Sequence, residues 1–239
     1  MNEIGTTLPI RPKAYAAWRA TSLGAIIDVL EQCVTFSLMG ELRDAHVLDA
    51  GCGDGALACA ATSRGAVMIG VDPDPAMVAA GRARAGREGI EAIFPEARLE
   101  SLPFPDAEFD VVVAVTVLCF VADAAGAMRE MARVLRSGGR LVVGELGRWS
   151  LGAAWRRVRG WFGSRTWAAA RFRTASELRG LARQAGLTVA AVGGAVFYPP
   201  SSLLARAIAP IDPRLGRMTT CGAGFLAVQA VKVGDHARA

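Results

Sequence analysis

With 239 residues, 52% of them hydrophobic and 21% charged, the chain can fold around one sizeable core, which excludes a disordered protein. Its formal net charge of +5 rests almost wholly on arginine, and a coding bias toward arginine explains this as well as nucleic-acid binding does. The five cysteines form no Cys-x-x-Cys pair, so they favour free thiols in a reducing compartment over disulfides or a zinc site. We therefore expect no bound metal.

The first 18 residues, MNEIGTTLPIRPKAYAAW, contain no apolar stretch behind a charged start. This pattern argues against a secretory signal and predicts a cytoplasmic protein. The longest uncharged stretch, residues 185–205, approaches the length of a membrane span, but its glycines and the Pro199–Pro200 pair would interrupt a helix. We expect a buried strand and a turn there.

Short apolar runs alternate with helical stretches after residue 45, which is the pattern of parallel strands joined by crossover helices. The helical stretch DAAGAMREMARVLRSGG is expected to run as far as its glycines. The last two strands are predicted to form a closing hairpin with a long inserted connection. The predicted strands cover residues 46–50, 66–72, 91–94, 109–117, 140–146, 187–197 and 224–233.

The segment VLDAGCGDGALA, residues 47–58, has glycines at 51, 53 and 55 between a predicted strand and a predicted helix. Glycine permits positive φ and a close approach of a ligand, and uncovered N–H groups at the start of a helix attract anionic groups. This predicts a ligand-facing turn, and a tight turn needed only for helix packing is the alternative. The spacing is an imperfect match to the G-x-G-x-x-G of dinucleotide sites.

Two aspartates end the first two predicted strands. Asp49 places a carboxylate beside the glycine turn, which is unfavourable next to a pyrophosphate but favourable next to an ammonium or sulfonium cation. Asp72 ends the second strand, where a carboxylate can accept hydrogen bonds from both hydroxyls of a ribose. A ribose combined with a cation indicates S-adenosylmethionine.

Four segments in order resemble the motifs of the class I S-adenosylmethionine-dependent methyltransferases, namely VLDAGCGDG, GVDPDPAMVAAGRARA, LPFPDAEFDVVVAVTVLCFVAD and AMREMARVLRSGGRLVVGEL. The type 11 group, which includes ubiquinone and menaquinone biosynthesis methyltransferases, is the most similar, over residues 13–147. The resemblance implies an α/β, Rossmann-like, doubly wound and mainly parallel seven-stranded sheet with a reversed last strand and a helical cap.

The same resemblance implies one methyltransferase domain over residues 1–239. Its expected parts are N-terminal cap helices (1–45), a cofactor-binding core (46–147), a basic aromatic lid (148–173), and a C-terminal helix with closing strands (174–239).

Individual cofactor contacts also follow from the resemblance. Asp72 would bind the ribose hydroxyls, and Pro73 would lie against the adenine. The remaining residues of this part of the site, mostly at the methionine end, would be Asp49, Gly51, Cys52, Gly53 and Thr116.

By the same resemblance, the segment EARLESLPF, residues 96–104, would lie along the adenine edge, and here the chain departs from the family pattern. Where the family usually has Asp two residues before the Glu of this motif, the chain has Arg98, so Leu99 (through its N–H group) and Glu100 become the candidates for the adenine. Tyr15 and Trp18 resemble an aromatic pair that folds over the cofactor, and the alternative is that they are core residues of the first helix.

Candidates for proton transfer are few. His46 lies at the wrong end of the first strand and His236 lies in the tail, so we expect neither to be catalytic. Cys119 and Glu145 are weak candidates, with apolar lining and a structural carboxylate as the respective alternatives. Methyl transfer is an in-line displacement, so positioning can supply much of the rate without a base.

The segment between residues 148 and 183 contains nine arginines and a single acidic residue, Glu177. Leu151, Trp155, Val158 and Phe162 recur at helical spacing, which predicts an amphipathic helix. It is either a lid with its apolar face over the active site and its arginines in solvent, or an element that rests on anionic lipid, or an RNA contact.

The sequence as a whole predicts transfer of a methyl group from S-adenosylmethionine to a small hydrophobic acceptor. DNA is disfavoured as a substrate because TVLCF stands where amino-methyltransferases of DNA carry a Pro-Pro-Tyr loop. Two rival functions stay open. A nicotinamide-dependent oxidoreductase would need a third glycine and a hydride-delivering pair, and a non-catalytic cofactor-binding protein would lack an acceptor pocket.

Overall fold

The computed structural model describes residues 12–234. Its elements, in chain order, are α1 (Pro12–Arg19), α2 (Ser22–Met39), β1 (His46–Ala50), α3 (Ala56–Thr62), β2 (Val67–Val71), α4 (Pro75–Glu88), β3 (Ala92–Ile93), β4 (Phe109–Val115), α5 (Ala124–Val134), β5 (Leu135–Leu146), α6 (Leu151–Trp161), α7 (Arg165–Ala169), α8 (Ala175–Gln184), β6 (Thr188–Ala195), α9 (Ser202–Ile208), α10 (Asp212–Met218) and β7 (Phe225–Val231).

The strands form one seven-stranded sheet in the order β3-β2-β1-β4-β5-β7-β6. The first five strands are parallel, and β7 runs antiparallel to both of its neighbours, β5 and β6. The strand order reverses at β1, so the segments that follow β1 and β4 diverge there and leave a crevice. The predicted fold, including the reversed last strand, is confirmed.

Hydrophobic burial explains the central position of β4. Five of its residues have no or almost no exposed surface, and they contribute to apolar clusters on both faces of the sheet. A strand covered on both sides needs apolar residues at successive positions, which the run FDVVVAV supplies. The helices α3 and α4 lie toward one side and α5 and α8 toward the other.

One predicted helix end is wrong. Helix α5 ends at Val134, because Leu135 takes an extended conformation and pairs with Phe109 across a bulge at the start of β5. The long connection predicted between β6 and β7 contains α9 and α10. Pro213 lies in the first turn of α10, where proline is tolerated.

Helix α2 is, by length and composition alone, apolar enough to cross a membrane. In this structure it packs against β5, β6 and β7, and it buries Ile27, Leu30 and Met39. It also carries Asp28 and Glu31, which face an internal cavity. The helix therefore covers the sheet and also forms part of the wall of this cavity.

A capping box formed by Thr174 and Glu177 begins α8.

A buried carboxylate, that of Asp212, holds the chain after β6. Asp212 accepts hydrogen bonds from the N–H groups of Val196 (3.0 Å) and Phe197 (2.9 Å). Val196 has φ +63, which is unfavourable for a β-branched residue, and these bonds help to hold that conformation beside the cavity.

Candidate functional site

A cavity of about 670 Å³ lies at the carboxyl ends of β1 and β4, between the sheet and the surrounding helices. Most of the residues that the sequence assigned to the cofactor line it, namely Tyr15, Trp18, Asp49, Gly51, Cys52, Gly53, Asp72 and Thr116. We call the part formed by Asp49, residues 51–54 and Asp72 the floor. Pro73, Leu99 and Glu100 are not among the described residues that line the cavity.

Asp49 is buried in β1 with 2% of its surface exposed. Its Oδ2 atom has no hydrogen-bond partner within residues 12–234. Burial, together with the smaller effect of the negative charges of Asp72 and Asp54, raises the pKa of Asp49 to about 7. A cation beside an unpaired buried carboxylate offsets the cost of burying its charge. The floor therefore favours a positively charged group at this point.

Asp72 follows β2 and is also buried. Its two carboxylate oxygens accept hydrogen bonds from the N–H groups of Asp74 (2.9 Å) and Gly53 (3.0 Å). Burial raises the pKa of Asp72 above its usual range, and these two N–H groups oppose the increase. Each oxygen keeps a further lone pair, so the held carboxylate can still accept bonds from hydroxyl groups of a ligand.

The three glycines of the turn serve different purposes. A Cβ atom at Gly51 (φ +87) would lie 2.4 Å from Val117 Cγ2, and one at Gly55 (φ +75) would lie 3.0 Å from the Phe94 ring. These two glycines permit close packing within the protein. A Cβ atom at Gly53 (φ +54) would meet nothing within 4 Å, so of the three glycines Gly53 alone has open space at its Cβ position. The packing interpretation therefore applies at Gly51 and Gly55, and the ligand-facing interpretation stays a prediction at Gly53.

The expectation of uncovered N–H groups in this turn is wrong for three residues. The N–H groups of Gly51 and Cys52 both donate to the Val71 carbonyl (2.8 and 2.9 Å), and that of Gly53 donates to Asp72. The sharp turn folds these groups back onto the end of β2. Carboxylates, rather than free amides, therefore determine the charge of the floor.

Asp54 is a part of the floor that the sequence analysis missed. It forms ion pairs with Arg19 of α1 and with Arg84 of α4, the latter at 2.8 Å. The two arginines are 35 and 30 residues away in the sequence, so no local pattern could indicate these contacts. The pairs fix the first helix and α4 to the glycine turn.

Tyr15 and Trp18 of α1 stack on each other, with 5.7 Å between the ring centroids and an interplanar angle of 12°. The Arg19 guanidinium lies 4.5 Å from the Tyr15 ring centroid, so the Arg19–Asp54 ion pair also positions this aromatic pair. Both rings border the cavity.

The segment expected along the adenine runs beside the floor, since Glu96 pairs with Asp72 in an isolated bridge. Leu99 is buried, and Glu100 Oε1 lies 3.5 Å from Arg98 Nη2. Arg98, the residue that departs from the family pattern, therefore forms an ion pair with the carboxylate of Glu100.

The weak catalytic candidates lie behind the cavity wall. Cys119 is buried, and its thiol donates to the Thr116 carbonyl (3.4 Å), while burial raises the thiol pKa well above its usual value. Burial also raises the pKa of Glu145 to about 7, and the charge of Arg173, 3.8 Å away, opposes this. Neither side chain lines the cavity. Thr116 does, and its φ of +51 marks local backbone strain.

Of the two histidines, the structure describes only His46, and that residue does not line the cavity. His46 begins β1 and is exposed at the opposite edge of the sheet, as expected. His236 lies outside the described residues.

The lid, residues 148–173, differs in part from the expected active-site cover. Trp161 is 82% and Phe162 87% exposed, whereas Trp155 and Arg156 both line the cavity. The expectation of an apolar inner face is therefore wrong at Phe162, and that of a wholly solvated basic back is wrong at Arg156.

Small residues let α6 pack closely. Ala153 is buried, and a Cβ atom at Gly160 would lie 3.1 Å from α7 backbone atoms.

The cavity wall contains further polar groups that the sequence did not predict. Glu31, Arg156 and Tyr198 border the cavity, from α2, from α6 and from the segment after β6; we call them the cap end. The Tyr198 hydroxyl is buried without a hydrogen-bond partner within the described ranges. Because these residues come from three distant segments, only the tertiary structure brings them together.

A family model described as "Methyltransferase domain" matches residues 48–143. Demethylmenaquinone methyltransferase of Thermus thermophilus is 38% identical over 136 residues, which cover 56% of this chain and 61% of that protein. An uncharacterized protein of Mycobacterium bovis, Mb2026c, is 33% identical over 221 residues, covering 91% of this chain and 71% of that protein. In three other mycobacterial relatives, all uncharacterized, the match spans 36% of their length.

Solved structures share the fold. A SAM-dependent methyltransferase from Thermotoga maritima has a TM-score of 0.70 at 23% identity and covers 92% of this chain and 95% of that one. The [4+2]-cyclase SpnF has a TM-score of 0.61 at 22% identity, with 85% and 82% covered. At these identities the likeness concerns the fold alone.

Proposed function

The chain belongs to the class I S-adenosylmethionine-dependent methyltransferases, whose cofactor is S-adenosylmethionine, and we propose that it transfers a methyl group from this cofactor to a small, mostly apolar acceptor. The observation that carries the proposal is Asp49 Oδ2, a buried carboxylate oxygen without a partner among residues 12–234. When bound, S-adenosylmethionine supplies a methyl group on a positively charged sulfur. The residues of the floor fit this charge.

We assign the floor to the cofactor as follows. Asp49 offsets the positive charge of the methionine end, and Gly53 lets that end approach the backbone. Asp72, already fixed by two N–H groups, accepts hydrogen bonds from the ribose hydroxyls. Tyr15 and Trp18 cover the cofactor from α1. Pro73, Leu99 and Glu100 remain our candidates for the adenine. None of the three is among the described residues that line the cavity.

The remainder of the cavity supports an apolar acceptor. Its walls include Ile27, Val115, Phe120 and Leu146, and a site of this size and character can enclose a small organic molecule. The enclosing walls exclude water and hold the acceptor in line with the methyl group, which supplies much of the rate. The name of the Thermus thermophilus relative, demethylmenaquinone methyltransferase, points to the same class of acceptor.

Calorimetry with S-adenosylhomocysteine and with NAD tests the cofactor assignment. We expect saturable binding of S-adenosylhomocysteine and no binding of NAD; binding of NAD alone would overturn the proposal.

To test methyl transfer, the protein is incubated with methyl-labelled S-adenosylmethionine and fractionated lysate. Label that enters an organic-soluble fraction with the wild-type chain, but not with Asp72→Ala, supports the apolar acceptor. Cofactor binding without any transfer would indicate a non-catalytic binding protein, an outcome that the cyclase with this fold makes worth testing.

We further propose that the lid rests on an anionic membrane surface. Trp149, Leu151, Trp155, Trp161 and Phe162 are all exposed there. The segment from residue 148 to 173 contains seven arginines and no acidic residue, so its charge complements anionic headgroups. Exposed tryptophan beside arginine suits the boundary between water and lipid.

The exposed lid residues border the entrance of the cavity, because Trp155 and Arg159 are both exposed and both part of its lining. An apolar acceptor dissolved in a membrane could pass from the lipid into the cavity at this point. The predicted cytoplasmic location agrees with a protein that touches the membrane only at this surface. RNA is the other anionic partner considered, and an exposed apolar side chain such as Phe162 favours lipid over a charged phosphate backbone.

Flotation with phosphatidylglycerol vesicles tests this surface. We expect the wild-type chain to float at low salt and to stay behind with phosphatidylcholine vesicles. The variant Trp161→Ser/Phe162→Ser should lose flotation. Its matched control, Leu203→Ser/Met218→Ser, removes two apolar residues of similar exposure, 78% and 83%, from α9 and α10 and should float as the wild type does. Equal flotation of both variants, or none by the wild type, would refute the membrane proposal and leave the cofactor assignment untouched.

A further inference from the structure

Glu31 and Arg156 are charged groups of the cavity that the cofactor assignment does not use. Glu31 belongs to α2 and Arg156 to α6, and both border the cavity without being part of the floor. Within residues 12–234, no carboxylate oxygen lies within 4.0 Å of the Arg156 guanidinium, and the Glu31 carboxylate makes no hydrogen bond. Each side chain nevertheless affects the pKa of the other through its charge.

The environment of the pair makes this lack of partners costly. Burial lowers the pKa of Arg156 and raises the pKa of Glu31 to about 7. Trp167 is the nearest aromatic group, with the Arg156 guanidinium carbon 5.2 Å from its ring centroid. A guanidinium in the wall of a cavity, with few polar neighbours, is normally paired with a carboxylate or another anion. The cavity that Arg156 and Glu31 both border, of about 670 Å³, has room for such an anion.

We propose that the cap end binds an apolar molecule that bears one anionic oxygen, and that Arg156 pairs with this oxygen. Glu31 contacts the same group in its protonated form, so it donates a hydrogen bond to the anion. One positive and one negative charge then face each other, with a neutral carboxyl group beside them. A carboxylate, phenolate or enolate on an apolar skeleton satisfies this arrangement. The identification of this molecule with the methyl acceptor rests on the proposed function.

The other charges near the pair do not supply the missing anion. Asp28, on the same helix as Glu31, accepts a hydrogen bond from Gln32 (2.9 Å), and its negative charge adds to the rise in the pKa of Glu31. Tyr198, from the segment after β6, contributes a neutral hydroxyl that can donate to the ligand. Arg159 borders the cavity only at its exposed entrance. From α1, Tyr15 is also neutral, because burial raises its pKa.

Two fluorescent probes that differ in charge test the proposal without knowledge of the natural ligand. The probe 8-anilinonaphthalene-1-sulfonate is an apolar anion, and N-phenyl-1-naphthylamine is its neutral counterpart. We expect Arg156→Gln to weaken binding of the anionic probe about tenfold or more, the loss that accompanies removal of a charge-assisted hydrogen bond. Binding of the neutral probe should be unchanged. The control Arg179→Gln removes an exposed arginine of α8 and should bind both probes as the wild type does.

The role of Glu31 has its own readout. Binding of the anionic probe to the wild type should weaken as the pH rises through 7, because ionised Glu31 repels it. Glu31→Gln keeps a hydrogen-bond donor without the charge, so its affinity should depend little on pH. An unchanged pH dependence in this variant would refute the part assigned to Glu31.

Three outcomes decide the matter. Selective loss of the anionic probe in Arg156→Gln supports the proposal. Unchanged binding of the anionic probe overturns it, and so does equal loss of both probes, because Arg156 would then only hold the lid in place. Calorimetry of Arg156→Gln with S-adenosylhomocysteine separates this inference from the proposed function: retained cofactor binding shows that the floor works, whatever the probes report.

Discussion

The floor of the cavity buries charged side chains, whereas the lid leaves apolar side chains exposed. At the floor, three carboxylates, Asp49, Asp54 and Asp72, have at most 5% of their surface exposed. In the lid, the aromatic rings of Trp161 and Phe162 are more than four-fifths exposed. Both arrangements cost free energy in an isolated chain, since charge is removed from water in one and apolar surface is left in water in the other. Asp54 is already paired with two arginines, so the missing partner at the floor is a cation beside Asp49, whose Oδ2 has no hydrogen-bond partner among residues 12–234. The missing partner at the lid is an apolar surface.

The largest effect that distinguishes the two regions concerns stability. Gly51→Ala places a Cβ atom against Val117 at a positive φ, so we expect it to lower the free energy of unfolding by about 2–5 kcal/mol. The matched change in the lid is Gly163→Ala, at φ +98, where a Cβ atom meets nothing within 4 Å; it should cost about 1–2 kcal/mol. Urea denaturation measures both. Equal losses would show that the floor is no more tightly packed than the lid.

The second effect concerns cofactor affinity. Asp72→Ala removes the proposed acceptor of the ribose hydroxyls and the partner of the Gly53 N–H group. We expect S-adenosylhomocysteine to bind about 1.5–3 kcal/mol more weakly, the range for hydrogen bonds to a charged group. Asp74→Ala, which removes the helix cap of α4 but no cavity-lining side chain, is the control. Unchanged affinity in Asp72→Ala would show that the ribose lies elsewhere.

The third effect is a pH dependence of the floor. Burial raises the pKa of Asp49 to about 7, so in the free protein this carboxyl group is protonated below that pH. A bound cation favours the ionised form, and binding must then release a proton. Affinity for S-adenosylmethionine should rise with pH by up to about tenfold per unit below pH 7 and level off above it. Calorimetry at several pH values should show a flat profile for Asp49→Asn, and a rising one would assign the proton to another group.

The smallest effect is expected in the lid. Trp161→Ser removes a ring that is 82% exposed, so its free energy of unfolding should change by no more than about 0.5 kcal/mol. Thermal or urea denaturation in the absence of lipid measures this. A loss of 2 kcal/mol or more, on the order of that for burying a large apolar side chain, would mean that Trp161 packs within the protein and cannot be the membrane-facing residue we propose.

The sequence was sufficient for the sheet because strand patterns are local. A run of apolar residues predicts each of the central strands. The residue that ends such a strand, such as Asp49 or Asp72, lies at the edge of the sheet where all the parallel strands end. The clustering of these two aspartates around the glycine turn thus follows from chain order alone. The helical periodicity of residues 151–162 likewise predicted α6.

The tertiary structure decided what those local patterns leave open. Periodicity identifies the two faces of α6 but not which residues turn inward, and in the structure Arg156 lines the cavity whereas Trp161 is exposed. The partners of Asp54 and the approach of Glu31 to Arg156 depend on segments separated by 30 residues or more, brought together only when the helices pack on the sheet. Chain order fixed where charge collects at the floor, and packing alone fixed which side chains close the cavity above it.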